Sequence, residues 1–362
     1  MPQRAVIVAF KRQSAVWMLT NRRRRAQITH AWPRGGRVLD SLRLSVNASF
    51  AAVFSGQAGG AATFDRQTLL PYAAVSAPAN ALLTVRLPLH DTNKMSRMLK
   101  QQRDLMLDTR GRDAMRKAGQ ANAALMDHIR PHIKAGVATI EIDNLVQQWT
   151  KENGHRPATL GYQGYPKNCC ISINDVICHG IPDERVLVDG DIVNVDITTV
   201  VDGWHGDQSE TFLIGEVTED KRRVTQAAFD CMHLAIEAIT PGCNVATIGQ
   251  AIVPEAEERG FSVVREYVGH GLGRQFHLDP TIPHFPNRQS RIDRLMPGMC
   301  FTIEPMINVG SRYTRLDKND GWTVRTKDGQ ASAQFEHSVL MTEDGPEILT
   351  QTVDGPKKGH QF

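Results

Sequence analysis

The sequence predicts an α+β fold over residues 95–362, with an antiparallel sheet and pairs of helices. Two pairs of segments with helical apolar spacing are each followed by apolar, β-branched runs, so the pattern occurs twice along the chain. An Asp202-Gly203 dipeptide joins two of these runs and favours the tight turn of an antiparallel hairpin. The repetition predicts two related halves, although the halves share little sequence.

The helices follow from apolar residues that recur every three or four positions. In the first helix, Met115, Ala118 and Leu125 mark the buried face, and Pro131 lies near the end. The four helices are predicted at about 113–131, 142–154, 220–239 and 247–259. In the third helix we expect six side chains to face inward: Val224, Ala228, Cys231, Leu234, Ala235 and Ala238.

Six runs rich in Val and Ile are typical of strands. Because Asp202 and Gly203 form the turn after the second run, Val201 pairs with Trp204 and the hairpin register is set. The runs are Ile171 to Cys178, Asp191 to Val201, Trp204 to Ile214, Phe261 to Val268, Met299 to Val309 and Ala331 to Met341.

Charge divides the chain into two segments. The first 92 residues hold twelve Lys or Arg against three acids, whereas the remaining 270 hold thirty basic and thirty-six acidic residues. The basic segment 1–94 has no sustained periodicity, and we expect little folded structure in it. Three interpretations stay open: translation that starts at Met95 or Met98, a targeting leader, or a basic arm that contacts RNA or the ribosome.

Composition excludes several classes of protein. Apolar residues make up 41% of the chain, enough for a sizeable core, and the net charge of +3 indicates neither DNA nor an acidic membrane as a partner. No apolar run approaches the roughly 18 residues of a membrane-spanning helix, so we expect a soluble protein. The six cysteines lack a C-x-x-C spacing, which favours a reducing compartment over a disulfide framework or a zinc knuckle.

Asp196 and Asp207 are acids within apolar strand sequence. In the predicted hairpin, Asp196 opposes Ser209 and Asp207 opposes Thr198, which places both carboxylates on one face at diagonal positions. Like charges on a buried face require either a shared proton or a metal ion. The alternative is that both acids lie at solvated strand ends.

Three further residues favour a metal site. His270 lies between glycines, and Glu304 and Glu336 lie in apolar strand sequence. Each alone fits a hydrogen-bonded histidine or a charge on an edge strand. Together, four carboxylates and one imidazole suit two hard or borderline divalent ions. Two such ions can share a water, lower its pKa and polarise a carbonyl, which predicts metal-assisted hydrolysis.

Six ordered motifs of the chain resemble those of type 1 methionine aminopeptidases. The resemblance covers about residues 95–350 and none of the first ninety. It implies a pita-bread fold with pseudo-twofold halves, and removal of the initiator methionine from new polypeptides with a small second residue. The motifs are YQGYPKNCCISINDVICHGIP from Tyr162 to Pro182, NVDI from Asn194, HGD from His205, GHGLG from Gly269, FTIEP from Phe301 and QFEH from Gln334.

The resemblance also implies the ligands of two divalent ions, which would be Co, Mn, Fe or Zn. Asp196 would bind one ion, and Asp207 and Glu336 would bridge both. His270 and Glu304 would hold the second ion, and Glu304 would also accept a proton from the bridging water.

Other positions match substrate-binding residues of the family. His277 would contact the scissile carbonyl or the developing oxyanion, and His179 would stabilise the tetrahedral intermediate beside the N-terminal residue. Thr159 departs from the cysteine or other small residue of many bacterial members, and this departure changes the pocket wall. Ordinary core packing is the alternative for the five residues that match the methionine pocket: Tyr162, Tyr165, Cys170, Phe276 and Trp322.

Two other functions stay open. An X-Pro aminopeptidase of the same fold would keep the metal ligands but differ in the first histidine motif and the pocket. A metal-free binding module of this fold would have lost ligands. The 34 positions from His270 to Glu304 leave little room for the helical insertion of type 2 enzymes.

The partners and location follow from the same resemblance. We expect nascent polypeptide N-termini as the partner, with ribosome association through the basic extension as an addition, and no DNA or membrane. We also expect a monomer in the cytoplasm, or in an organelle if residues 1–94 are a transit peptide.

Overall fold

The fold is seen in a computed structural model that describes residues 105–362 and the backbone of five short strands before them. Those strands form an antiparallel sheet in the order β1-β5-β2 and a separate β3-β4 hairpin: β1 (Val6–Val8), β2 (Ile28–Ala31), β3 (Leu42–Val46), β4 (Phe50–Phe54) and β5 (Leu82–Val85). Residues Met1–Met98 form one unit and Leu99–Phe362 another. Most of the predicted basic extension lies outside the described residues, so the expectation of little folded structure there stays a prediction.

Four helices carry the apolar faces that the sequence predicts: α1 (Thr109–Ile129), α2 (Thr139–Glu152), α3 (Glu219–Ala238) and α4 (Ala246–Glu258). The Asp108 side chain begins α1 by accepting a hydrogen bond from the Gly111 backbone N at 2.8 Å. Each predicted helix is confirmed to within about four residues at its ends. In the described part of the chain, no helix has the length and apolar character needed to cross a membrane.

Two inward positions predicted on α3 are wrong. Leu234 is 37% exposed, and Ala238 is also exposed. Val224 and Ala235 lie close together on the buried face of α3. Because successive residues of a helix are rotated by about 100° about its axis, Leu234 lies about a quarter turn or more from the centre of that face. Ala238 is the last residue of the helix, where packing against the sheet ends.

The remaining strands build one large sheet and two small ones. They are β6 (Arg156–Pro157), β7 (Cys170–Ile173), β8 (Val176–Cys178), β9 (Ile192–Val201), β10 (Trp204–Leu213), β11 (Ser262–Val263), β12 (Gly269–Gly271), β13 (Leu278–Ile282), β14 (Cys300–Ile303), β15 (Met306–Asn308), β16 (Thr314–Leu316), β17 (Val324–Thr326), β18 (Ser332–Gln334), β19 (Glu336–Met341) and β20 (Pro346–Ile348). The nine-stranded sheet has the order β13-β12-β14-β19-β10-β9-β6, with β20 beside β19 and β7 beside β9. The three-stranded sheets are β11-β15-β18 and β16-β17-β8.

Several predicted runs are shorter or broken. The run from residue 171 to 178 is two strands, because Asn174 adopts φ +55° at a turn. The run from 299 to 309 breaks at Glu304 and Pro305, and the run from 331 to 341 breaks at Phe335. Of the run from 261 to 268, only Ser262 and Val263 form a strand.

The predicted hairpin is confirmed in its register. Strand β9 pairs with β10 so that Val201 faces Trp204 and Asp196 faces Ser209. Asp202 and Gly203 both have positive φ, at 50° and 81°, as the tight turn requires. The diagonal arrangement of the two carboxylates therefore follows from strand pairing.

The helices and the polar residues lie on opposite faces of the central sheet. On β9, Val195 and Ile197 enter the core under α1 and α2, while Asp196 between them points the other way. In the second half of the fold, Phe335 packs edge-on against Phe229 of α3, with ring centroids 5.1 Å apart. Glu336, the next residue, is thereby directed away from the helices.

Candidate metal centre and substrate cavity

A cavity of about 450 Å³ collects every residue that the sequence predicts for the site. Its lining comes from eight strands, β7, β8, β9, β10, β12, β15, β18 and β19, and from segments between strands. The predicted residues in this lining are Thr159, Tyr162, Tyr165, Cys170, His179, Asp196, Asp207, His270, Phe276, His277, Glu304, Trp322 and Glu336.

The polar floor of the cavity is a cluster of acids around one histidine. Ligand atoms of Asp207, His270 and Glu336 all lie within 4.8 Å of one another. His270 Nε2 lies 3.6 Å from Asp207 Oδ2 and 3.8 Å from Glu304 Oε1. Asp196 faces the same cavity from the diagonal position on β9.

The His270 ring presents a lone pair to these acids. Its Nδ1 lies 3.1 Å from the Gly271 carbonyl oxygen and donates to it, so Nε2 carries no hydrogen in the neutral ring. Burial lowers the pKa of His270 to about 3, which keeps the ring neutral. A lone pair directed at carboxylate oxygens is repulsive unless a proton or a metal cation lies between them. The donor set therefore fits a bound cation.

The four carboxylates are unfavourable in the absence of a cation. Burial raises the pKa of Asp196 to about 7 and that of Glu304 to about 8. It also raises the pKa of Asp207 and Glu336 well above the usual range, and the neighbouring carboxylates add to both effects. Carboxylate oxygens with one imidazole form a ligand set that suits divalent Mn, Fe, Co or Zn.

Hydroxyl and amide groups hold the acids in place. Thr198 Oγ1 donates to Asp207 Oδ1 at 2.8 Å, and Thr302 Oγ1 donates to Glu304 Oε1 at 2.7 Å. Gln334 Nε2 donates to Glu304 Oε2 at 3.2 Å. These contacts fix the carboxylates without neutralising their charge, which is the support that metal ligands require.

His284 is a positioning residue that the sequence argument missed. The backbone N of Glu304 donates to His284 Nε2 at 3.0 Å, and His284 is only 1% exposed. Strand β14 ends at Ile303 and Pro305 follows Glu304, so this N–H has no partner in a strand. The proline signals the interruption, but no local pattern points to a histidine twenty positions upstream.

The apolar part of the cavity is an aromatic slot. Tyr162 packs against Phe276 with ring centroids 4.9 Å apart, and Tyr165 meets Trp322 edge-on at 5.2 Å. The Tyr165 hydroxyl donates to the Gly180 carbonyl oxygen at 2.8 Å, which anchors the ring. Rings with the thiol of Cys170 form a surface suited to a thioether side chain.

Two histidines line the cavity beside the slot. The His277 ring centroid is 4.1 Å from that of His270, and the His179 ring meets Trp322 edge-on at 6.2 Å. Burial lowers the pKa of both to about 4, so each is neutral at pH 7 and has one N–H to donate. His179 adopts φ +58°, a conformation that turns it at the end of the β7-β8 hairpin.

Comparisons with known proteins show the family of this chain. Residues 113–343 match the model of metallopeptidase family M24. The chain is 50% identical over 246 residues to methionine aminopeptidase A of Synechocystis. That alignment covers 68% of this chain and 96% of that protein. It is also 47% identical over 244 residues to methionine aminopeptidase of Escherichia coli K12. That alignment covers 67% of this chain and 92% of that protein.

A solved structure shows the same fold. The crystal structure of methionine aminopeptidase from Rickettsia prowazekii superposes with a TM-score of 0.66 at 43% identity. The match covers 68% of this chain and 99% of that one. The fold expected from the motifs, an antiparallel pita-bread sheet with helix pairs, is confirmed.

Proposed function

The chain belongs to metallopeptidase family M24, among its methionine aminopeptidases, and we propose that it removes the initiator methionine from polypeptides whose second residue is small. The observation that carries this proposal is the shared cavity. The cluster of four acids and His270 lies beside a slot of Tyr162, Tyr165, Phe276 and Trp322. A peptide held by its first side chain in the slot would place its first carbonyl near the acids.

Two divalent ions per chain are the proposed cofactor, with Co, Mn, Fe or Zn as candidates. When bound, such ions polarise a carbonyl and lower the pKa of a coordinated water. The resemblance to the family implies the ligands: Asp196 would bind one ion, Asp207 and Glu336 would bind both, and His270 and Glu304 would bind the second. Support comes from the place of all five residues in the cavity lining, from the convergence of Asp207, His270 and Glu336, and from the lone pair of His270 Nε2.

The side chains outside the cluster have distinct proposed tasks. Glu304 accepts the proton of the attacking water, and its backbone is held by His284 for this purpose. His277 donates a hydrogen bond to the carbonyl oxygen as negative charge develops on it. His179, beside the slot, stabilises the tetrahedral intermediate next to the N-terminal residue.

The slot selects the first side chain. An unbranched thioether fits between aromatic edges and makes sulfur–aromatic contacts. Cys170 pairs directly with Asp196 across β7 and β9, so the slot adjoins the acids. The Thr159 hydroxyl donates a hydrogen bond to the Asn168 carbonyl oxygen at 2.5 Å, so its one O–H is already paired at the wall of the slot.

Hydrolysis of two tripeptides tests the substrate. The purified chain should cleave Met-Ala-Ser and leave Ala-Pro-Ala intact, whereas an X-Pro aminopeptidase would prefer the second peptide. Chelation should abolish the activity, and addition of Co, Mn or Fe to the stripped protein should restore it. Calorimetric titration with the restoring metal should show two ions per chain. Turnover unaffected by chelation would contradict the proposal.

The remaining proposals concern the chain as a whole. We infer that residues 95–362 are the catalytic domain and residues 1–94 a dispensable basic extension. We also propose a cytoplasmic monomer that meets nascent chains at the ribosome. Support comes from six free cysteines, and from family motifs that begin after residue 94. A chain that starts at Met95 should fold and cleave as well as the full chain; light scattering and ribosome sedimentation would test the rest.

A further inference from the structure

The mouth of the cavity carries one unpaired carboxylate. Among the lining residues in the described part of the chain, Gln163, Glu266 and His277 are exposed to solvent. Gln163 is an amide and His277 an imidazole. Glu266 is therefore the only acid among the exposed residues of this lining.

The surroundings of Glu266 leave its charge available. Its carboxylate accepts a hydrogen bond from the Arg265 backbone N at 3.2 Å, while the Arg265 guanidinium stacks over the Phe285 ring at 5.4 Å. Within residues 105–362, Glu266 forms no ion pair with a Lys or Arg, and none of these cations lines the cavity.

Glu266 lies where a substrate must leave the cavity. Its neighbour Tyr267 meets the His179 ring edge-on at 5.6 Å, so position 266 adjoins the wall of the substrate site. The other lining residues are buried or half-buried. The exposed part of the lining is the opening through which a peptide with its first side chain in the slot would extend, and Glu266 lies in that part.

We propose that Glu266 is a specificity-determining residue that favours substrates with Lys or Arg at the third position over substrates with an acid there. This inference rests on the proposed function, in which two divalent ions balance the four acids of the floor. The charge of Glu266 is then the uncompensated charge along the exit path. For solvated charges, attraction of Lys and repulsion of Glu together predict a preference of about three- to tenfold in kcat/KM.

The experiment compares Met-Ala-Lys-Ala-amide with Met-Ala-Glu-Ala-amide on the metal-loaded full chain. The amide removes the terminal carboxylate, which would otherwise lie near the mouth. We expect a Lys-to-Glu ratio in kcat/KM of about three to ten for the native chain and close to one for Glu266→Gln. Glu266→Lys should invert the ratio. Glu258→Gln, the same change at an exposed position on α4, should keep the native ratio.

Salt gives a second measurement that needs no variant. At about 0.5 M KCl the native ratio should fall towards one, because exposed charges are screened. A native ratio near one, or an unchanged ratio in Glu266→Gln, overturns the inference while methionine release from both peptides still supports the proposed function. Failure to release methionine from either peptide overturns both.

Discussion

The two walls of the cavity differ in how they are held. The acidic wall stands on paired strands of the central sheet, where the register of β9 and β10 places Asp196 and Asp207. The aromatic wall stands on loops, and its rings contact one another across long sequence separations, as Tyr165 and Trp322 do at 5.2 Å. Ladder hydrogen bonds fix the position of the first wall, whereas side-chain packing holds the second.

This difference predicts that substitutions on the two walls affect different kinetic constants. Residues on the strand wall should change kcat, because the reacting groups must be held to a fraction of an ångström. Residues on the loop wall should change KM, because packing around the first side chain contributes to the substrate and to the transition state alike. Asp207→Asn and Trp322→Leu test the separation directly, and His277→Ala and His284→Ala test side chains that belong to neither wall.

Asp207→Asn should have the largest effect. Asp207 is 2% exposed and lies at the centre of the acid cluster, so loss of its charge should lower kcat by roughly 10³-fold or more. The metal-free variant should melt no earlier than the metal-free native chain, because the amide of Asn needs neither a proton nor a cation in this buried acid cluster, whereas the Asp207 carboxyl needs one of them. In the presence of metal, the variant should melt at a lower temperature than the native chain.

Steady-state kinetics, thermal melts and metal analysis check this prediction. Asp344→Asn, the same change at an exposed loop position, should leave all three unchanged. Near-normal turnover by Asp207→Asn would contradict the assignment of a bridging ligand.

His277→Ala should come next, with kcat lowered by about 10²-fold. The imidazole is proposed to donate to the developing oxyanion, and loss of one such donor has an effect of this order. Because His277 is not a proposed ligand, metal content should stay near the native value. Kinetics and metal analysis on the same sample separate the two roles, and a matched loss of metal would make His277 a ligand instead.

His284→Ala should lower kcat by about tenfold. The variant leaves the half-buried Glu304 without an acceptor for its backbone N–H, which costs on the order of 1 kcal/mol and loosens the proposed proton acceptor. His284→Gln restores an acceptor on a side chain of similar reach and should recover most of the activity. KM should change less than kcat in both variants. Equal activity of the two variants would show that the hydrogen bond has no role.

The sequence predicts the strand wall of the cavity better than the loop wall. The carboxylates of the hairpin could be placed from the turn dipeptide alone, because Asp202 and Gly203 set a register that strand pairing then enforces. The breaks at Phe335 and after Val263 were not predicted, since both depend on tertiary packing and not on local pattern.

The aromatic wall and the supporting groups depended on resemblance or were missed. Tyr165 and Trp322 converge through loops whose path no periodicity encodes, so only the resemblance to a known family placed them together. His284 and Glu266 were not found at all. One acts through a backbone N–H, and the other is an exposed acid whose place at the cavity mouth depends on the fold.

Of the four substitutions, Trp322→Leu should have the smallest effect, and we expect it to change KM. Its ring closes the slot against Tyr165, and an aromatic pair of this kind contributes about 0.5–1.5 kcal/mol beyond its buried area. We therefore expect KM for Met-Ala-Ser to rise by about two- to tenfold while kcat stays within about twofold. Trp149→Leu, the same change on α2 outside the cavity, should leave KM unchanged. If Trp322→Leu instead lowers kcat with KM constant, the loop wall takes part in the chemical step and the separation between the two walls fails.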